Sequence, residues 1–165
     1  MYRRVPVKGN AKLIEVLNDL LSDELTAVNQ YMLHSEMCAH WGFHALHAAI
    51  EKRAIDEMKH CEWLISRILF LEGTPNISNY KEIKIGKTVP ELIANDTNAE
   101  DNAIAAYNRG IALASEVGDE ATADLLTQIL SMEEGHVDWG EKQQAMIKQI
   151  GIENYLAAQM GEGEE

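Results

Sequence analysis

Two Glu-x-x-His tetrapeptides are the most informative feature of the sequence. Glu57 and His60 form the first, and Glu133 and His136 form the second. Residues three apart share one face of an α-helix, so each tetrapeptide can direct a carboxylate and an imidazole to one point. A single tetrapeptide of this kind is common in Glu-rich helices. Two of them in one chain indicate a metal site.

Two further acids complete the pattern. Glu24 and Glu100 each interrupt an apolar stripe, and each lies thirty-three positions before the Glu of a tetrapeptide. Tyr31 and Tyr107 follow these acids after seven residues, which is two helical turns. The two halves of the chain are therefore interpreted as structural repeats.

Four carboxylates and two imidazoles suit a pair of divalent, fairly hard cations. An ionised carboxylate on a buried stripe costs several kcal/mol unless it is paired or bound to a metal. Two divalent ions would balance the four carboxylate charges. The alternative is a set of unrelated Glu and His side chains on solvated helix faces, and for any one of these residues alone that alternative is the simpler interpretation.

Helices must position these side chains, because apolar residues recur at three- and four-residue steps along nearly the whole sequence. The predicted helices extend from the cap Asn10 to about Trp41, from His44 to Glu72, from the cap Thr88 to Val117, from the cap Asp119 to Gln149, and from Ile152 to Gln159. Residues 73–87 are predicted to form an extended link. This order predicts an all-α four-helix bundle with one long crossover connection and a short C-terminal fifth helix.

The positions of the turns test whether the candidate ligands can meet. Glycines near the centres of the two predicted hairpins, Gly42 and Gly118, break the helical pattern. A hairpin that turns at Gly42 places Glu24 opposite the first tetrapeptide, and one that turns at Gly118 places Glu100 opposite the second. All six candidate ligands are therefore expected at one level of the bundle.

Composition narrows the class of protein. The chain has 165 residues, with 14 Lys and Arg against 27 Asp and Glu, and a net charge of −13. We expect one domain over 1–165 with an ordered core of about 8–159. The acidity argues against nucleic acid and anionic membranes as partners.

The sequence lacks a signal peptide or an apolar segment of transmembrane length, so a cytoplasmic protein is expected. Cys38 and Cys61 are not expected to form a disulfide.

Four segments resemble the characteristic motifs of the bacterioferritins: Glu24–Tyr31, Ile55–His60, Arg67–Gly73 and Glu133–Trp139. The resemblance extends from Lys8 to about Gln159. It implies a ferritin-like fold and an iron-storage protein with ferroxidase activity, which oxidises Fe(II) with O₂ or hydrogen peroxide at a di-iron centre within each subunit. It also implies a hollow shell of twenty-four copies, built from two-fold dimers, that stores the ferric mineral.

The resemblance assigns roles to individual residues. The implied iron ligands and their neighbour are Glu24, Glu57, His60, Glu100, Glu133, His136 and the adjacent Tyr31. Among them Glu57 and Glu133 bridge the two irons. Met58 corresponds to the axial ligand of a haem (haem b or a related iron porphyrin) bound between two subunits. The alternative for Met58 is an interface methionine without haem. A small ferredoxin is an implied partner for iron release.

Some features of the sequence differ from the family pattern or bear on alternative functions. Lys52 stands where some bacterioferritins have the histidine of an inner-surface iron site, although the accompanying Asp56 is present. His34, His40, His44 and His47 cluster near the first turn and are predicted to be solvent-exposed, with a secondary metal site as the alternative.

A rubrerythrin-type peroxidase would carry paired Cys-x-x-Cys motifs, which this sequence lacks. A cage with degraded catalysis is disfavoured by the complete ligand set, and a heteromeric shell stays open.

Overall fold

Five α-helices account for most of the structure. The computed structural model describes residues 8–161, so the ends of the predicted domain, 1–7 and 162–165, lie outside the described residues. The helices are α1 (Ala11–His40), α2 (His44–Phe70), α3 (Val89–Glu116), α4 (Glu120–Ile150) and α5 (Ile152–Gln159). The prediction of an all-α bundle with a long crossover and a short fifth helix is confirmed. Within 8–161, no helix combines the length and apolar character that a membrane span needs.

The helices pack as two antiparallel hairpins. α1 packs along α2, α3 packs along α4, and contacts between α1 and α3 join the pairs. The turn glycines Gly42 and Gly118 have φ angles of 85° and 78°, a left-handed conformation that side chains with a Cβ rarely adopt. The two glycines thereby allow the tight turns that set the register within each hairpin.

Side chains cap α1, α3 and α4 at the residues that the sequence predicted, Asn10, Thr88 and Asp119. The Asn10 carboxamide oxygen accepts hydrogen bonds from the amides of Lys12 and Leu13, at 3.0 and 3.1 Å. Asp119 accepts one from the amide of Thr122 at 3.0 Å. Caps of this kind satisfy amides that have no partner within the helix and stabilise it by about 1 kcal/mol each.

The apolar core is divided into two clusters along the bundle axis. One cluster gathers residues such as Leu17, Leu64 and Leu126 near the crossover end of α2. The other gathers residues such as Ile50 and Leu92 toward the opposite end. The predicted ligand level lies between the two clusters on every long helix, so apolar packing fixes the helices above and below it.

A polar seam holds the crossover against α1. Five side chains spaced four residues apart bond to its backbone, and we call them the crossover seam: Asn18, Ser22, Thr26, Gln30 and His34. Their partners are, in order, backbone atoms of Thr74, Asn79, Lys81, Lys84 and Gly86, at 2.8 to 3.2 Å. The backbone of the crossover forms no regular secondary structure. The seam gives its amides and carbonyls hydrogen-bond partners on α1.

His34 corrects one prediction. It was expected to be a solvent-exposed turn histidine, but it is fully buried. Its Nδ1 lies 2.8 Å from Oδ1 of Asp96 on α3, and its Nε2 accepts from the Gly86 amide. Burial of a histidine requires partners for both ring nitrogens, and these come from α3 and the crossover, which sequence spacing along α1 does not reveal.

Candidate metal centre

Six acidic and imidazole side chains meet at the level between the two core clusters. Each long helix contributes at least one of them, and every one is buried: Glu24, Glu57, His60, Glu100, Glu133 and His136. His136 is the most accessible, with 9% of its surface exposed. The structure thus brings together all six residues that the sequence predicted as ligands.

Glu57 and Glu133 each lie between the two histidines. Glu57 directs Oε2 to Nδ1 of His60 at 2.9 Å and Oε1 to Nδ1 of His136 at 2.8 Å. Glu133 directs Oε1 to His60 Nδ1 at 2.9 Å and Oε2 to His136 Nδ1 at 3.7 Å. Each of these carboxylates therefore offers one oxygen to each half of the site, as a carboxylate that bridges two metal ions must.

The remaining two acids occupy the ends of the site. Oε1 of Glu24 lies 3.5 Å from Nδ1 of His60, and Oε1 of Glu100 lies 3.5 Å from Nδ1 of His136. Within each half, ligand atoms of four residues fall within 4.8 Å of one another. One half comprises Glu24, Glu57, His60 and Glu133, and the other comprises Glu57, Glu100, Glu133 and His136.

The hydrogen bonding of these groups fits a pair of metal ions. Four of their buried atoms have charged neighbours at 2.8 to 3.7 Å but no hydrogen bond of good geometry: Glu57 Oε1, both carboxylate oxygens of Glu133, and His136 Nδ1. Buried polar atoms without a partner are costly and rare in native proteins. Divalent cations coordinated by these oxygen and nitrogen atoms would satisfy them.

A tyrosine supports each end of the site. The Tyr31 hydroxyl donates to Oε1 of Glu100 at 2.8 Å, and the Tyr107 hydroxyl donates to Oε1 of Glu24. Both tyrosines are fully buried. The repeat seen in the sequence is therefore crossed in space, since each tyrosine supports the acid of the other half. Burial and the adjacent carboxylates raise the pKa of both hydroxyls, which keeps them protonated as donors.

The four carboxylates and two imidazoles share protons. Burial, together with repulsion from Glu57 and Glu133, raises the pKa of Glu24 well above its ordinary value, and burial also raises that of Glu100. Burial opposes the charged form of His60 and His136, but attraction to the surrounding carboxylates outweighs it and raises each pKa to about 12. In this arrangement protons compensate the negative charge that a metal pair would otherwise neutralise.

A cleft connects the site with solvent. Residues of α1, α3 and the crossover line it, including Asp23, Asn98 and Lys81, and its inner wall includes the carboxylates of Glu24 and Glu100. The lining thus includes four of the six candidate ligands, Glu24, Glu57, Glu100 and Glu133.

Met58 lies outside the site, as its spacing predicted. It is 48% exposed, and Ile55, three residues earlier on the same face of α2, is 42% exposed. Cys61, three residues later, is buried, and both cysteines are free thiols. The outer face of α2 thus presents a thioether beside apolar surface.

Sequence reasoning missed Arg53, which contacts the site directly. This arginine is 5% exposed, and its Nη2 donates to Oε1 of Glu100 at 2.6 Å. The available signal was its position four residues before Glu57, which places it on the ligand face of α2. Met132 was missed as well, and its sulfur lies 3.4 Å from Nε2 of His60.

The other histidines near the first turn differ from one another. His40 and His44 are exposed, as predicted. His47 is partly buried and lies within 4.8 Å of carboxylate oxygens of Glu36 and Glu51, a solvent-facing group. Lys52 is also exposed and takes no part in the metal centre.

Comparison with known proteins agrees with the geometry. The ferritin-like domain family matches residues 14–150. The chain is 41% identical over 155 residues to the bacterial ferritin of Synechocystis sp., which covers 93% of this chain and 99% of that one. It is 39% identical over 149 residues to the bacterioferritin of Brucella melitensis, covering 90% and 92%. The chain belongs to the bacterioferritin family. Its membership places it among the iron-storage proteins.

The relatives match nearly the full length of this bacterioferritin-family chain. The bacterioferritin of Mycobacterium leprae, for example, is 37% identical over 151 residues, which is 92% of this chain and 95% of that one. The match to the ferritin-like domain family, residues 14–150, extends from the first turn of α1 to the end of α4. The family resemblance proposed from four short motifs is confirmed across the bundle.

Proposed function

We propose that this protein oxidises Fe(II) at a di-iron centre formed by Glu24, Glu57, His60, Glu100, Glu133 and His136, and that it stores the ferric product. The observation that supports this most directly is the orientation of Glu57 and Glu133. Each offers one oxygen to the His60 half and the other to the His136 half. Two carboxylates in this arrangement can hold two iron ions close together.

Iron is the substrate as well as the source of the electrons. Two Fe(II) ions each lose one electron. O₂ with two protons then gives hydrogen peroxide, or hydrogen peroxide with two protons gives water. Because the pair supplies both electrons, the oxidant need not leave as a one-electron radical. The protein supplies geometry and charge, while the metal supplies the redox chemistry.

The chain's own groups prepare the site for these ions. Fe(II) would enter through the cleft past Asp23, whose partly exposed side chain is part of the cleft lining. The buried carboxylates replace the hydration of the ions, and His60 and His136 lose their protons as metal binds. Tyr31 is hydrogen-bonded to Glu100, so a change in the charge or position of that carboxylate would act directly on the tyrosine hydroxyl.

Haem binding is the second part of the proposal. Met58 presents an exposed thioether beside the exposed Ile55, so two copies of this face related by a two-fold axis would offer two sulfur ligands to one haem iron. A thioether is a known axial ligand of haem iron. Haem b or a related porphyrin at this position would carry electrons for reductive iron release, with a small ferredoxin as the electron donor.

Assembly into a homomeric shell of twenty-four chains in the cytoplasm completes the proposal. Apolar side chains of the crossover are exposed, and Ile77, at 61%, and Tyr80, at 52%, are the most accessible. Such residues are typical of surfaces covered by another subunit. The net charge of −13 per chain would draw Fe(II) toward the shell.

The decisive experiment adds Fe(II) aerobically to the metal-free protein and follows ferric absorbance and O₂ uptake. Glu57→Ala and His60→Ala should slow oxidation to near the protein-free rate. Glu62→Ala is the matched control, because Glu62 is exposed on the same helix. Wild-type oxidation no faster than that of the Glu57→Ala variant would refute the ferroxidase proposal.

A further inference from the structure

Arg53 is a cation buried at the edge of the metal centre. It precedes Glu57 by one helical turn on α2, and only 5% of its surface is exposed. A buried charge is costly unless it is paired and hydrogen-bonded. The position of its partners therefore indicates what this arginine does.

The partners hold the guanidinium against one end of the site. Its Nη2 donates to Oε1 of Glu100 at 2.6 Å. Its Cζ lies 5.0 Å from the ring centroid of Tyr31 and 4.9 Å from that of Trp139, so two aromatic rings flank it. Cation–π contacts of this kind add to the ion pair and restrict the side chain to one position.

The other half of the repeat has no such cation. The corresponding position, four residues before Glu133, is Ile129, which is buried in the apolar core. The tyrosines are matched between the halves, but the arginine is not. Oε1 of Glu100 accepts from both Tyr31 and Arg53, whereas the tyrosine is the hydrogen-bond donor at Oε1 of Glu24.

This asymmetry weakens Glu100 as a metal ligand. Two donors occupy the lone pairs of Oε1, which leaves Oε2 as the free donor atom for a metal. The fixed positive charge also repels a divalent cation through a site with little water to screen it. Both effects act directly on the Glu100–His136 position, because Arg53 is hydrogen-bonded to Glu100. The ion pair has no counterpart at Glu24, where Tyr107 is the donor.

A second asymmetry acts in the opposite direction and is weaker. Oδ2 of Asp56 lies 3.5 Å from Nε2 of His136, the ring nitrogen that does not face the other candidate ligands. The corresponding nitrogen of His60 has the sulfur of Met132 as its neighbour. A carboxylate behind an imidazole strengthens it as a ligand. However, Asp56 is partly exposed and has Lys59 at 3.5 Å, so its charge is screened more than that of Arg53.

We propose that Arg53 makes the two metal positions unequal, so that a divalent ion binds the Glu24–His60 position first and the Glu100–His136 position second and more weakly. This inference rests on the metal centre proposed above. Arg53 acts through Glu100 and is a positioning residue. In the metal-free protein the same ion pair holds Glu100 in place for the second ion.

Zn(II), which has no redox chemistry, tests the inference by calorimetric titration of the metal-free protein. Arg53→Gln should tighten the weaker binding step by roughly tenfold, the effect of removing one nearby charge at about 1.4 kcal/mol. Arg53→Lys keeps the charge and should stay near the wild type. Lys52→Gln removes the same charge from the adjacent exposed position and is the matched control. Circular dichroism verifies that each variant is folded.

Two ligand variants then locate the effect. In a Glu24→Gln background, which leaves the Glu100–His136 position intact, Arg53→Gln should still tighten Zn(II) binding. In a Glu100→Gln background the same substitution should have little effect. An equal gain in both backgrounds would overturn the inference, because the arginine would then act only through general charge.

The outcomes separate this inference from the proposed function. A wild-type protein that binds two Zn(II) ions, with both steps unchanged by Arg53→Gln, refutes the role of Arg53 and leaves the metal centre intact. A wild-type protein that binds no Zn(II) at the six ligands refutes both proposals.

Discussion

Nε2 of His34 accepts a hydrogen bond of 3.0 Å from the backbone amide of Gly86. This contact ties the crossover to α1 at the end where α3 begins. The bond also fixes the tautomer, since an unprotonated Nε2 leaves the proton on Nδ1, which donates to Asp96. The crossover can approach the start of α3 so closely here because Gly86 has no side chain. An added Cβ would lie 2.3 Å from the amide nitrogen of Leu92.

Replacing His34 should destabilise the fold. His34→Leu preserves apolar volume but leaves the Gly86 amide and the Asp96 carboxylate without their partner. We expect a loss of about 2 kcal/mol or more in the free energy of unfolding. Scanning calorimetry should show a melting temperature lower by at least about 4 °C. His40→Leu, at an exposed position of the same helix, is the control, and equal melting temperatures for the two variants would contradict the prediction.

The contrast between His34 and the candidate metal ligands shows what the sequence can predict. Glu57, His60, Glu133 and His136 were recognised because their partners lie three residues away on the same helix, and local periodicity encodes that spacing. The environment of His34 depends on Asp96 and Gly86, which are distant in sequence. Nothing in the pattern along α1 reveals which side chains α3 and the crossover bring against it.

Arg53 was missed for a related reason. Its spacing from Glu57 placed it on the ligand face, but a cation on that face is equally compatible with a solvated position at a helix edge. Arg53 is buried rather than solvated because α3 and α4 bring Glu100 and Trp139 against its guanidinium. The helices, their caps at Asn10, Thr88 and Asp119, and the meeting of six candidate ligands at one level were predictable, whereas the contacts between hairpins required the structure.

Loss of a bridging carboxylate should differ from loss of a terminal one. Glu57→Gln removes an oxygen ligand from both halves of the site, so both Zn(II) binding steps should weaken. Glu24→Gln should weaken one step only. Since loss of a partner that supports a metal ligand already costs about 10- to 100-fold in affinity, loss of a ligand should cost at least tenfold. Calorimetry on metal-free protein measures both steps, and a Glu57→Gln variant with one unaffected step would argue against bridging.

Metal binding should release protons and tighten as the pH rises. The pKa values of His60 and His136 are raised to about 12 in the metal-free fold, so both rings carry a proton at pH 7. Metal must displace both. Zn(II) titrations in buffers of different ionisation enthalpy should therefore show about two or more protons released per chain at pH 7. Affinity that stays constant between pH 6 and 8 would contradict this prediction.

The same shifts predict how stability depends on pH. A histidine whose pKa is raised on folding stabilises the fold fully below its unfolded pKa of about 6.5, and that stabilisation is lost as the pH rises toward the folded value. The metal-free protein should therefore melt at a lower temperature at pH 9 than at pH 6.5. Zn(II) replaces the protons, so the loaded protein should lose less stability over this range. Scanning calorimetry at both pH values, with and without Zn(II), measures the difference.

Met58→Leu should abolish most haem binding. Leucine has a similar volume and preserves the apolar outer face of α2, but it offers no sulfur to the haem iron. Protein expressed with haem supplied should show a Soret band for the wild type and little for this variant. Oxidation of Fe(II) should be unchanged, since Met58 lies on a different face of α2 from the six candidate ligands.

Met146→Leu is the matched control for this substitution. Met146 is 41% exposed on α4, close to the exposure of Met58, and it lies on a different helix. Its loss should leave the Soret band intact if the thioether of Met58 is the axial ligand. A Met58→Leu variant that retains the full band would show that the apolar face alone holds the porphyrin. Equal losses in both variants would point to a general effect of methionine on assembly and would remove the assignment.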